Sequence, residues 1–252
     1  MIDCHCHLLP GLDDGPDTLD KAVAMARTLA GFGFVEVYCT PHCIGGLYET
    51  TPALVRERSA QLQSALDRAR IPLSLRPGME YYLDSRFPQA LRDPLPLGDS
   101  RLLLVEAPPW AGADLIFANM QEVAAAGYVP LLAHPERCNL LALPDASGLL
   151  TGMRRLLRRD KAPPVSDLVR QLQSCGCLFQ GNIGSFAGRY GRIIMKRAQT
   201  LLATGVYNCF GSDAHSQSGM EQMLTAGLDQ IQQRAAAPQQ LLDAGTLFPR
   251  SQ

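Results

Sequence analysis

Residues 1–15 read MIDCHCHLLPGLDDG. A short apolar run at residues 2–4 leads directly into His5 and His7, and then into the acid pair Asp13 and Asp14. The same unit recurs along the chain. Residues 35–39 lead into Thr-Pro-His42, and residues 73–76 into Pro-Gly-Met-Glu80. Residues 102–105 end at Glu106, residues 129–133 at His134, and residues 206–210 at Gly-Ser-Asp213-Ala-His215. A further strand is predicted in CLFQGN, residues 177–182.

Between these runs the apolar spacing changes to that of helices. Residues 19, 22, 23, 26, 29 and 30 mark one amphipathic helix, with Asp17 as its expected cap. Thr51-Pro52 is a helix start, followed by Val55, Ser59, Leu62, Leu66 and Ala69 on one face. Helices are also expected at 114–126, from Ser166, at 191–204 and at 219–234. Seven strands separated by helices predict an α/β fold with a parallel, barrel-like sheet in a single domain over residues 1–252. In such a sheet the strand ends converge on one face, where active sites are built.

All five histidines, His5, His7, His42, His134 and His215, follow predicted strands. Glu80, Glu106 and Asp213 occupy equivalent places. One histidine in such a position is usually structural, but a whole set of histidines and acids at one topological level points to metal. Imidazole with carboxylate suits Mn, Fe or Zn. Eight donors are too many for one tetrahedral ion and predict two or three ions sharing carboxylates. Such a centre activates water and steadies attacking and leaving oxygens in phosphoryl transfer. Arg137, three residues after His134, offers a fork of donors for phosphate oxygens.

Other chemistries fit less well. None of the eight cysteines has an arginine six positions later, so a cysteine phosphatase loop is missing. Cys4, Cys6, Cys39, Cys43, Cys175, Cys177 and Cys209 lie in or beside apolar segments and are expected to be buried free thiols. GNIGSFAGRYG, residues 181–191, is glycine-rich but lacks the Lys-Ser/Thr ending of a nucleotide-binding loop, and reads as a site loop or helix start. The formal charge of −1 gives no general attraction for nucleic acid. The locally basic stretch at 154–161 reads as a solvated helix face. Apolar runs stay short of a membrane span, and the N-terminus does not read as a signal peptide. A cytoplasmic protein without direct membrane insertion is expected.

HCHLLPGLDDG, TPH, PGMEYY, LVEAPP, LLAHPER, GNIGSFAGRYG and FGSDAHS occur in this order between residues 5 and 216. Together they resemble the polymerase and histidinol phosphatase (PHP) superfamily, most nearly its bacterial manganese-dependent tyrosine phosphatases of the CpsB/CapC/YwqE type. The resemblance implies a distorted seven-stranded β/α (TIM-like) barrel of PHP type. It implies a first metal position at His5, His7, Glu80 and Asp213, with Glu80 bridging. It places Glu106 and His134 at a second ion, and His42 and His215 at a third. Mn²⁺ is the implied metal, with Fe or Zn as alternatives.

Arg137, Asp14 and His42 are then the residues expected to act at the phosphoryl group, and Asn182 and Ser185 to shape the pocket. The implied reaction is hydrolysis of protein phosphotyrosine by a metal-bound hydroxide. Its implied substrate is a bacterial tyrosine autokinase that controls capsule or exopolysaccharide assembly. The alternative within the superfamily is a small phosphorylated metabolite such as histidinol phosphate or a sugar phosphate. A non-catalytic metal-bound scaffold is the reading from another class. Cys43 and Ser216 stand where relatives commonly carry histidine and asparagine, and no arginine follows near residue 220.

Overall fold

The computed structural model describes residues 1–141, 166–245 and 247–248. The basic stretch at 154–161 and most of the connection after Cys138 lie outside the described residues. The strands are β1 (Ile2–Cys6), β2 (Glu36–Cys39), β3 (His42–Cys43), β4 (Ser74–Pro77), β5 (Glu80–Tyr82), β6 (Leu102–Glu106), β7 (Val129–Ala133), β8 (Leu178–Asn182) and β9 (Cys209–Gly211). The helices are α1 (Leu19–Gly31), α2 (Pro52–Arg68), α3 (Phe87–Ala90), α4 (Ala113–Ala125), α5 (Asp167–Ser174), α6 (Ile183–Phe186), α7 (Arg192–Ala203), α8 (Met220–Arg234) and α9 (Pro238–Asp243).

Each predicted strand is present, but the sheet is not a closed seven-stranded barrel. A three-stranded sheet runs β1-β2-β4, and a six-stranded, curled half-barrel runs β3-β5-β6-β7-β8-β9, with all pairings parallel. The division falls where two strand runs break. Thr40-Pro41 separates β2 from β3, and Gly78-Met79 separates β4 from β5. Pro41 has no N–H to donate to a ladder. Single backbone bonds still tie the sheets: Asp213 N donates to His5 O at 2.8 Å, and His7 N to Ala214 O at 3.1 Å. Gly211 permits this approach, because a Cβ there would lie 2.6 Å from the His5 Cβ.

The period-two rule explains how the sheets carry a site above a core. Leu102 and Leu104 of β6 enter an inner apolar cluster with Ile2, Cys4, Leu131 and Cys209. Continuing on the same face, β6 ends in Glu106, β8 presents Gln180 and Asn182, and the β9 run reaches Asp213. In β1 the pairing slips between Asp3 and Cys6. Such a bulge exchanges the two faces. Ile2 and Cys4 pack in the inner cluster, Cys6 packs in the outer one, and His5 and His7 turn inward. The outer cluster fills the space between the strands and the helices around them. After α9, Ala244, Leu247 and Phe248 cover the lower end of the inner cluster, with Phe248 stacked on Tyr38 at 4.3 Å.

Thr18, not Asp17, caps α1: its side chain accepts from Lys21 N, while Asp17 pairs with the Lys21 ammonium. Both residues suit the cap chemically, but the extended backbone falls at Thr18. Thr51 and Ser166 cap α2 and α5 as expected. The cysteines are all free, and Cys4, Cys6, Cys39, Cys138, Cys177 and Cys209 are buried. Two cysteines depart from the expected burial: Cys43 in β3 is half-buried, and Cys175 at the end of α5 is exposed.

Gly227 lies buried in α8, where a Cβ would meet the Ile183 carbonyl oxygen and sit 2.6 Å from Ile183 Cγ2. Alanine in a helix interior normally stabilises by about 1 kcal/mol over glycine. Here the blocked approach of α8 to α6 outweighs it, and Gly227→Ala is expected to destabilise by about 1–3 kcal/mol. A denaturant midpoint equal to or above wild type would contradict this packing account.

Candidate metal centre

The histidines and acids that follow the strands meet at one end of the sheets. His5 Nε2 and His7 Nε2 face each other at 3.0 Å. Glu80 lies beneath them, with Oε2 at 3.2 Å from His5, 3.3 Å from His7 and 3.0 Å from His42 Nδ1. Its other oxygen is 3.1 Å from His134 Nε2. Asp213 Oδ1 lies 3.4 Å from His5 Nε2 and 3.3 Å from His7 Nε2. Glu106 approaches His134 at 3.8 Å, and Asp14 approaches His215 at 3.3 Å and His42 at 3.7 Å.

Among the described residues, four overlapping groups could each hold a metal ion, their donor atoms lying within 4.8 Å of one another. They are His5–His7–Glu80, His5–His134–Asp213, His42–Glu80–Glu106, and His7–Asp14–His42–His215. The groups share members, so they do not divide into the three ligand sets that the resemblance implies. No cysteine belongs to any of them.

Burial disfavours charge here; the neighbours overrule it at His5, Glu80 and Asp213, and it prevails at Glu106 and His134. Burial would push His5 down, but Glu80 and Asp213 lift it to about 9. Glu80 and Asp213 are held well below the usual carboxylate range against the cost of burial, foremost by His5. Burial, with the charge of Glu80, raises Glu106 to about 7. Burial and Arg137 push His134 down to about 4, so at neutral pH its ring is uncharged and keeps a lone pair. Protons on His5 and His7 balance the buried carboxylates here, and a divalent cation would take over that role by displacing them. Glu80 Oε2 lies among three imidazole nitrogens at 3.0–3.3 Å without a well-formed hydrogen bond to any of them, and the Nε2 atoms of His5 and His7 face each other at 3.0 Å. Divalent cations would satisfy all these atoms together, so the residues fit such a group.

A family model described as capsular polysaccharide synthesis, CpsB/CapC, matches residues 1–146. The chain belongs to the CpsB/CapC family. The tyrosine-protein phosphatase YwqE of Bacillus subtilis is 32% identical over 222 residues, which cover 86% of this chain and 78% of YwqE. The tyrosine-protein phosphatase CpsB of Streptococcus pneumoniae is 25% identical over 223 residues, covering 86% of this chain and 83% of CpsB. A solved structure from work on these two proteins, described as unique metal-dependent tyrosine phosphatases, superposes with a TM-score of 0.80 at 28% identity. It covers 100% of this chain and 96% of the other.

Within this CpsB/CapC-family chain, several positioning residues escaped the sequence reading. Asp13, rather than Asp14, accepts from His7 Nδ1 at 2.6 Å and from the His42 N–H at 2.9 Å. It therefore fixes the ring that leaves Nε2 facing the cluster. Gln180 Oε1 accepts from His5 Nδ1 at 3.0 Å and does the same for His5. Buried Glu136 accepts from Asn182 N at 3.0 Å and Tyr207 OH at 2.9 Å, tying the HPER turn to β8. The adjacent acids of DDG were the sequence signal for Asp13 and the LLAHPER motif the one for Glu136; Gln180 had none.

Arg137 Nη1 donates to Asp213 Oδ2 at 2.8 Å, and its guanidinium stacks over Tyr190 at 4.7 Å. Asn182 Nδ2 also donates to Asp213 Oδ2, at 2.7 Å, and Ser185 lies buried in α6 with no partner for its hydroxyl. His134 and Asp213 have φ of +31° and +50°, a region that costs a side-chain-bearing residue energy. These bends aim both side chains into the cluster at the point where strand alternation ends.

Proposed function

We propose that this chain, as one domain over residues 1–252, is a metal-dependent protein-tyrosine phosphatase. Its substrate is a tyrosine autokinase of capsule or exopolysaccharide assembly, and it acts in the cytoplasm. The single observation that carries the reading is the convergence of His5, His7, His42, Glu80, Glu106, His134, Asp213 and His215 on overlapping metal-competent groups, with Arg137 at their edge. Membership of the CpsB/CapC family and the phosphatase names of its relatives support it. The free cysteines suit a reducing compartment. Mn²⁺, two or three ions per chain, is the favoured metal, with Fe or Zn as the other choices.

When bound there, divalent cations would lower the pKa of a water and neutralise phosphoryl oxygens. The chain's own groups do the rest. Arg137 offers guanidinium N–H groups beyond the one spent on Asp213, enough to hold a phosphoryl oxygen. Tyr190 and Asn182 keep Asp213 turned to the cluster. His42, partly exposed between Glu80 and Asp14, faces the mouth. The hydrogen bond from His215 pulls Asp14 down to about 2, so it stays ionised and orients groups rather than protonating the leaving oxygen. A tyrosyl oxygen leaves as a phenolate whose conjugate acid has a pKa of about 10, and it needs little acid help.

The test is phosphate release from a phosphotyrosine peptide by metal-stripped protein titrated with Mn²⁺, beside histidinol phosphate under the same conditions. Release is expected to appear with Mn²⁺, with higher kcat/KM on the peptide. Folded protein that turns over only histidinol phosphate would replace the protein substrate with a metabolite. No release from either would overturn the phosphatase reading.

A further inference from the structure

Trp110 is the chain's only tryptophan and is 66% exposed, an unusual setting for so large an apolar side chain. Its position relates directly to the cluster. Glu80 pairs in register with Leu104, and Tyr82 with Glu106. Strand alternation therefore puts Tyr82 on the same face as Glu80, one step nearer the mouth and beside Glu106. Trp110 packs edge-on to Tyr82, with ring centroids 6.5 Å apart and planes at 63°.

The indole is also held in place. Ala111 N donates to Pro108 O at 3.1 Å, closing a turn with Pro109 and Trp110 at its centre. Proline in the first central position presets that turn, and buried Ala111 anchors its end. The other exposed large apolar side chains among the described residues, Leu19, Val35, Leu47, Leu140 and Ile193, are aliphatic. Tyr48, the aromatic residue near His42, is already stacked on that ring at 5.7 Å.

Two aromatic rings inclined at 63° form a corner. A third ring can lie flat on one and edge-on to the other, an arrangement that aromatic quadrupoles favour. We propose that Tyr82 and Trp110 form the receptor for the phenyl ring of the phosphotyrosine side chain, selecting aryl over alkyl phosphate monoesters. This inference rests on the phosphatase reading above. The phosphoryl group would lie over the cluster and the ring against the corner beside Glu106, so the pair determines specificity without touching the reacting bond.

Two peptides of one sequence, carrying phosphotyrosine or phosphoserine, test this on the full chain loaded with Mn²⁺. In Trp110→Ala the ratio of kcat/KM for phosphotyrosine over phosphoserine is expected to fall about tenfold, mainly through KM, the scale of one lost aromatic contact. Trp110→Phe should keep most of the ratio. An unchanged ratio in Trp110→Ala, with wild type active on phosphotyrosine, would overturn the receptor. The lone indole supplies a second readout that needs no turnover. Phenyl phosphate should shift the emission of wild-type protein, whereas glycerol phosphate should not. If wild type releases no phosphate, the phosphatase reading fails and this titration alone decides whether the corner binds an aryl ring; an unresponsive indole rejects it.

Discussion

Glu80→Gln is expected to lower Mn²⁺-dependent phosphate release by about three orders of magnitude, at the upper end of what one preorganised charge contributes. Glutamine keeps the shape but removes the charge from the centre of the cluster. Glu80 is fully buried and lies within 3.3 Å of His5, His7, His42 and His134, whereas the neighbouring Asp213 approaches only His5 and His7 of these four. Its amide would also halve the acceptor oxygens that Glu80 turns toward the imidazoles. Thermal unfolding separates this from a general loss of structure. A ligand at a hundred times its Kd stabilises by about 2.7 kcal/mol. The Mn²⁺-induced rise in Tm seen in wild type should shrink sharply in the variant, while metal-free protein still unfolds cooperatively. Wild-type turnover in Glu80→Gln would show that the cluster does not need the charge of Glu80.

Arg137→Ala should lower kcat/KM on the phosphotyrosine peptide by about 10²–10³-fold. It should leave the Mn²⁺-induced rise in Tm in place. Asp213 keeps its hydrogen bonds from Asn182 at 2.7 Å and Tyr190 at 3.3 Å, so the donors stay aimed at the cluster. Arg137→Lys should recover little of the loss. An ammonium is a point charge that cannot hold Asp213 and a phosphoryl oxygen in one plane, nor stack as flatly on Tyr190. An arginine variant with wild-type kcat/KM would take Arg137 out of the mechanism; loss of metal stabilisation would make it a support for Asp213 instead.

The candidate donors were legible because their signal is local. His5, Glu106, His134, Asp213 and His215 lie at or just past the end of a strand, and parallel strands align their ends whatever the intervening helices contain; His42 and Glu80 instead open the short strands β3 and β5 that follow the predicted runs. Their supports were not legible. Asp13 meets His7 six residues away through a loop, and Gln180 meets His5 across 175 residues of chain. Neither spacing is periodic, so no pattern announces it. Trp110 reads in sequence as one apolar residue in a proline-rich loop; only its edge contact with Tyr82 relates it to the site.

The sequence by itself determined the strand–helix rhythm, the parallel pairing, the donors at the strand ends and the family pattern from residue 5 to residue 216. These follow from chemistry that repeats along the chain: alternation, helix spacing, caps and ligand types. Tertiary structure alone decided that the sheet opens into a three-stranded and a six-stranded part, because closure depends on which backbone groups remain free to pair beside Pro41 and Gly78. It also decided that His5 and His7 face inward. A one-residue slip in β1 pairing exchanges the two faces of the strand, and that slip is set by the neighbouring strand rather than by residues 1–7.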